Sequence, residues 1–164
     1  MDFVLKRIYG GGVVIFLASF LIWVMYFGLI FIFIFRKRTK KEMAFIILSS
    51  VLSWLLAQMT KDLLPTVRPF LLNGENPLTL TEHFDNSFPS GHSATAFGLA
   101  TSLFLVDRNL GIFYFVLAGF VSWGRVLSRV HFLVDVLGGA VIGIFVSLLL
   151  ENFFFVQRHS SSKR

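Results

Sequence analysis

Apolar residues along this chain come in long unbroken runs, not in every-second-residue alternation. Five such runs stand out, at about 11–35, 43–64, 90–106, 110–127 and 132–156. A bilayer core takes roughly 20 apolar residues of helix to cross, and every run reaches or approaches that length. Continuous hydrophobicity predicts helices as the spanning form. The third and fourth runs are the shortest, and Asp107-Arg108-Asn109 between them predicts a tight helical hairpin. All four prolines, at 65, 69, 77 and 89, fall between the second and third runs, with the turn-forming Asn73-Gly-Glu-Asn-Pro77 among them. The stretch 65–89 is therefore expected to be the one long non-helical connection, and connections of that length are functional or disordered. The expected fold class is all-α: one domain over 1–164, an integral membrane bundle of five to six helices.

Composition strengthens that class. Hydrophobic residues are 55% of the chain, with 21 phenylalanines, which excludes an ordinary soluble domain. Mean hydropathy is +0.77. The absence of cysteine excludes disulfides, thiolate metal sites and a cysteine nucleophile. The first run is too long for a signal-peptide core and lacks a small-x-small cleavage site, so a retained span is expected.

Charge placement orients the bundle. Net charge is +6, and Arg36-Lys-Arg-Thr-Lys-Lys41 holds five of the fifteen basic residues. Beside membrane spans such a run marks a cytoplasmic loop, and with no soluble domain attached it does not imply nucleic acid as a partner. The tail, with Arg158, Lys163 and Arg164, belongs on the same side and is expected to fray. Five spans then put the N-terminus outside and the C-terminus in the cytoplasm. Lys6 and Arg7 run against this and are outnumbered. The 65–89 stretch sets one arginine against Glu75, Glu82 and Asp85 and is expected outside. That loop, the start of the third run and the turn at 127–132 then meet at the outer face of the plasma membrane.

Three polar pieces converge on that face. Arg125-Val-Leu-Ser-Arg-Val-His131-Phe-Leu-Val-Asp135 places His131 and Asp135 four apart, on one face of a helix, with Arg125 six residues before the histidine. Phe88-Pro89-Ser90-Gly91-His92-Ser93 opens the third run: Ser90 is a good N-cap, Gly91 admits an anion close to the backbone, and His92 overhangs the free N–H groups. Lys61-Asp-Leu-Leu-Pro-Thr-Val-Arg68-Pro69 ends the second run with two cations. Singly, each piece has a plain structural explanation: snorkelling cations, a capped helix, a structural His–Asp pair. Their joint occurrence, in order and on one face, is what those explanations do not cover. His83 and Arg129 are left as solvated loop residues.

Together the three pieces resemble the type 2 phosphatidic acid phosphatase superfamily, whose pattern is Lys-x6-Arg-Pro, Pro-Ser-Gly-His and Ser-Arg-x5-His-x3-Asp. Lys61, Arg68 and Pro69 match the first, Pro89 to His92 the second, and Arg125, His131 and Asp135 the third. Gly124 departs from the pattern, standing where the family usually has serine. Ser128-Arg129 is a decoy that leaves only Val130 before His131. The resemblance covers about 61–140.

It implies that His131 attacks phosphorus and forms a phosphohistidine, with Asp135 orienting it and His92 as acid and then base. Lys61, Arg68, Ser90, Gly91 and Arg125 would bind the phosphate. No acidic cluster is visible to hold magnesium, so a reaction with no metal and no cofactor is expected. The partners implied are the bilayer and a membrane phospholipid or isoprenoid phosphate. A short five-span member with an outward site looks most like bacterial undecaprenyl-diphosphate phosphatases. Phosphatidylglycerophosphate, phosphatidic acid and lipid A 1-phosphate phosphatases share the motifs, and the oligomeric state stays open. An anion transporter, the non-enzyme alternative, would spread its charges through the midplane.

Overall fold

The structure, a computed structural model, describes residues 11–36, 38–74, 76–80 and 86–160. Among them are six helices: α1, Gly11–Arg36, then α2 Lys40–Leu63, α3 Pro69–Asn73, α4 Gly91–Val106, α5 Arg108–Leu127 and α6 Leu133–Ser160. Lys6, Arg7, Glu75, Glu82, His83, Asp85 and the tail 161–164, on which expectations were stated, lie outside the described residues.

Local chemistry sets the helix ends. Thr39 and Glu42 each accept a hydrogen bond from the other's backbone N–H, a reciprocal cap that opens α2. Pro65 closes it by forcing Leu64 out of helical geometry, to φ −125° and ψ 80°. Asp107 alone separates α4 from α5, because its carboxylate accepts the Leu110 N–H at 3.2 Å and lets Arg108 start the next helix. The expected three-residue link thus shrinks to one. The 65–89 connection is not wholly non-helical either. Pro69 suits a helix start and Gly74, at φ 63°, suits a helix end, so α3 forms between them.

Helices α1, α2, α5 and α6 are long and apolar enough to cross a membrane. Helix α4 has 16 residues, about 24 Å against a hydrocarbon core of about 30 Å. It packs against α2, α5 and α6, and eleven of its residues are buried. Wrapped by protein, it has no need of a full lipid-facing length. The outer faces are apolar, with Trp23, Phe27, Phe31, Val141 and Phe153 exposed, and the chain is an integral membrane protein.

Glycine makes the contact between α4 and α6. A Cβ on Gly143 would lie 2.5 Å from the Ala94 carbonyl, and one on Gly139 would meet the Ser90 carbonyl. Small residues allow backbones in a membrane bundle to approach this closely. The approach brings the Ser90 N–H onto the Asp135 carbonyl at 2.9 Å, joining the starts of α4 and α6. The core, which includes Met25, Leu29, Phe45, Leu99, Leu103, Tyr114 and Val121, links α1, α2, α4 and α5.

Candidate active site

The end of α2, the segment before α4 and the α5–α6 turn are laced together by backbone hydrogen bonds. Ser87 N–H donates to the Thr66 carbonyl, Phe70 N–H to Arg129 and Leu78 N–H to Ser128, each at 3.1 Å. Asn86 adds its side chain, donating to the Lys61 carbonyl at 2.9 Å. These ties hold the three sequence pieces at one end of the bundle.

A cavity of about 130 Å³ opens there, lined by Trp54, Gln58, Lys61, Arg68, Gly91, His92, Arg125 and His131. Three cations and two histidines thus share one small space. Lys61 is 6% exposed, Arg68 1% and Arg125 2%. None of them snorkels to water, although burying a cation costs free energy that exposure would avoid. Arg68 is fixed by its Nη1 donating to the Val130 carbonyl at 2.8 Å and its Nη2 to the Asn86 carbonyl at 3.3 Å. Its Nη1 also lies 3.4 Å from His131 Nε2.

His131 is not on a helix. It sits in the turn before α6, so the pairing expected along one helix face is made across a helix start. Asp135, in the first turn of α6, receives the Phe132 N–H on Oδ2 at 2.8 Å and thereby caps the helix. The same Oδ2 lies 3.4 Å from His131 Nδ1. A carboxylate facing Nδ1 assigns the proton to that nitrogen, which leaves the Nε2 lone pair turned toward Arg68 and the cavity. Burial pushes the His131 pKa down to about 3, with Arg125, Arg68 and Lys61 adding to the shift and the Asp135 hydrogen bond opposing it. The imidazole is therefore neutral at ordinary pH.

Ser90, like Asp135, is not among the residues lining the cavity; its hydroxyl caps α4, accepting from Ser93 N–H at 3.5 Å and Ser93 Oγ at 3.3 Å. Gly91 does line the cavity, and a Cβ there would touch Gln58 and Trp54 at 3.3 Å. Arg129 is exposed with φ 63°, outside the cavity.

Sequence reasoning missed Ser87. It is fully buried, donates to Asp135 Oδ2 at 2.5 Å and lies 3.4 Å from His131 Nδ1. A lone serine ahead of Phe88-Pro89 carries no pattern, and only the fold shows what it faces. Gln58 and Trp54 escaped notice because they lie on an apolar span, one and two turns before Lys61.

Comparisons with known proteins place the chain in a family. The sequence profile of the PAP2 superfamily matches residues 42–158. The chain belongs to the PAP2 superfamily. It is 32% identical to the undecaprenyl-diphosphatase of Sulfolobus acidocaldarius, over 84% of this chain and 68% of that one. It is 31% identical to the bacitracin transport permease protein BcrC of Bacillus licheniformis, with the same two coverages. The crystal structure of Aquifex aeolicus LpxE superposes with a TM-score of 0.69 at 31% identity, over 89% of this chain and 85% of that one. As a PAP2 member with this bundle, the chain is a membrane lipid phosphatase.

Proposed function

We propose that this protein hydrolyses an isoprenoid diphosphate, undecaprenyl diphosphate in the first instance, to the monophosphate and inorganic phosphate through a phosphohistidine. His131 Nε2 attacks the terminal phosphorus, and the bond to the bridging oxygen breaks as the N–P bond forms. His92 gives its proton to the departing oxygen. It then takes one from a water that attacks phosphorus, which breaks the N–P bond and frees the imidazole. Asp135 holds Nδ1–H and stabilises the imidazolium that forms. Lys61, Arg68 and Arg125 bind the phosphate oxygens, with the Gly91 N–H beside them. Phosphoryl transfer depends mainly on position and charge stabilisation, and three fixed cations supply both with no metal step. Among the described residues no group of three metal-binding side chains converges. Ser90 acts through the helix start it caps.

The observation that carries this reading is a second space sharing two walls with the first. Trp54 and His92 line both the cation-rich cavity and an apolar groove of about 240 Å³, with Ile22, Trp23, Tyr26, Val51 and Thr95 from α1, α2 and α4. The histidine cast as acid stands at the seam. A phosphate on one side of it and an apolar chain on the other fits a lipid leaving group. A transporter's charges would instead line the midplane. We place the site at the outer face of the plasma membrane on the positive-inside rule, since the basic residues Arg36, Arg38, Lys40 and Lys41 lie at the opposite end of the bundle.

The test is phosphate release by purified protein from undecaprenyl diphosphate, phosphatidylglycerophosphate, phosphatidic acid and lipid A 1-phosphate, each in EDTA. The reading predicts the isoprenoid diphosphate as the best substrate and no loss in EDTA. Preference for another lipid would reassign the substrate, and loss of turnover in EDTA would end the metal-free mechanism. A cysteine at the exposed Asn76 should react with an impermeant reagent from outside; labelling only after lysis would invert the orientation.

A further inference from the structure

Helix α1 carries one irregularity. Over Phe16–Phe20 it widens into a π turn, in which the Leu21 N–H reaches back to the Phe16 carbonyl. Such turns are rare and often occur where function needs a displaced backbone group. Ala18, fully buried in the middle of this turn, accepts a hydrogen bond from Arg125 Nη1 at 3.1 Å. The residue before Arg125 is Gly124, and a Cβ there would lie 2.7 Å from Ala18 N, Leu17 C and Leu17 Cβ. Two of those three are backbone atoms, which cannot swing aside as a flexible side chain would. The backbone of α1 therefore rests on the backbone of α5 at the position from which the guanidinium enters the cavity.

We propose that the π turn of α1 is the positioning device for Arg125, and that position 124 is glycine in order to admit it. The inference rests on the reading of Arg125 as a phosphate-binding cation. One N–H held on the Ala18 carbonyl fixes the plane of the guanidinium, so its other donors are aimed before substrate arrives. The departure from the family's Ser-Arg pair then has a physical cause: this chain sets the α1 backbone where that pattern sets a hydroxyl. Helix α1 also precedes the matched residues 42–158, so an element outside the family profile shapes the site.

A double-mutant cycle on the full-length protein tests this, with Gly124→Ser, Arg125→Ala and the pair compared by kcat/KM and by the inhibition constant of inorganic phosphate. Gly124→Ser, although it restores the family pattern, is expected to lower kcat/KM by at least about tenfold, as a small misplacement of a binding group does. Phosphate inhibition should weaken by a similar factor. Because the damage acts through Arg125, the double variant should be no worse than Arg125→Ala. Losses that multiply, or a Gly124→Ser protein with wild-type constants, would overturn the proposal. Full activity in Arg125→Ala would instead remove the phosphate-binding reading itself, and the inference with it. Should Gly124→Ser not yield folded protein, Gly124→Ala adds the same Cβ without the hydroxyl and carries the same cycle.

Discussion

The two ends of this bundle both carry cations and treat them in opposite ways. At one end Arg36, Lys40 and Lys41 are exposed, Arg38 pairs with Asp107, and Lys41 Nζ rests 5.5 Å from the Phe155 ring. At the other, Lys61, Arg68 and Arg125 are buried around one cavity. Charge count alone does not separate the two clusters; burial does. An exposed cation keeps its hydration and costs the fold little, whereas a buried one has to be held by hydrogen bonds and costs stability unless something compensates. Cations at the first end suit orientation in the membrane. Those at the second suit an anion that arrives.

Substitutions at the two ends should therefore differ by orders of magnitude. His131→Ala, which removes the proposed nucleophile, is expected to lower kcat by at least about 10⁴-fold. Arg68→Ala and Arg125→Ala should each cost about 10²–10³-fold in kcat/KM, the scale for losing one group that stabilises developing charge. Phosphate release from the best lipid substrate reads both. Near-wild-type rates in either arginine variant would show that its burial serves packing.

A smaller effect sharpens the account of how His131 is held. Asp135→Asn should leave residual turnover, since an amide can turn the imidazole to the wrong tautomer without removing it. Ser87→Ala should reduce kcat by about tenfold, comparable to losing one hydrogen bond to a charged group. Both side chains act on Oδ2, so the two losses should not multiply in the double variant. Multiplying losses would detach Ser87 from the Asp135–His131 unit.

Stability should respond to pH for a related reason. His131 stays neutral in the fold down to about pH 3, while in the unfolded chain it takes up a proton near its usual value of about 6.5. Below that value the unfolded state binds a proton the folded state refuses, so stability is complete above about pH 6.5 and falls as pH drops toward 3. Thermal unfolding in detergent should show this decline, and His131→Asn should flatten it; an unchanged slope would mean that other groups set the acid limit. The smallest effect belongs to the opposite end. Arg38→Gln should shift stability by less than about 1 kcal/mol, as for partly exposed ion pairs, and leave kcat/KM within about twofold, since it touches nothing in the cavity.

How much of this was legible in the chain depended on the range of the interaction. Helices declared themselves through unbroken apolar runs. Lys61, Arg68, Gly91, His92, Arg125 and His131, read from motif spacing, line one cavity in the structure. What spacing could not show was contact between backbones distant in sequence. The bond from Arg125 to Ala18 spans 107 residues, and that from Ser87 to Asp135 spans 48. Ser90 reads in the sequence as both a cap and part of an anion cradle, since the two use the same residues, and the structure shows its hydroxyl accepting from Ser93 as a cap. Short helix α3 hid among prolines because Pro69 and Gly74 suit a helix start and end as well as they suit turns.

The most direct test of the central claim is to trap the covalent intermediate. The protein would be mixed with substrate, quenched in alkali within milliseconds, where phosphohistidine survives, and digested for mass spectrometry. One phosphate on the peptide holding His131, absent from the His131→Asn protein and accumulating when His92→Ala slows its hydrolysis, is the predicted result. Turnover at full rate with no adduct, or with the phosphate on any other residue, would contradict it.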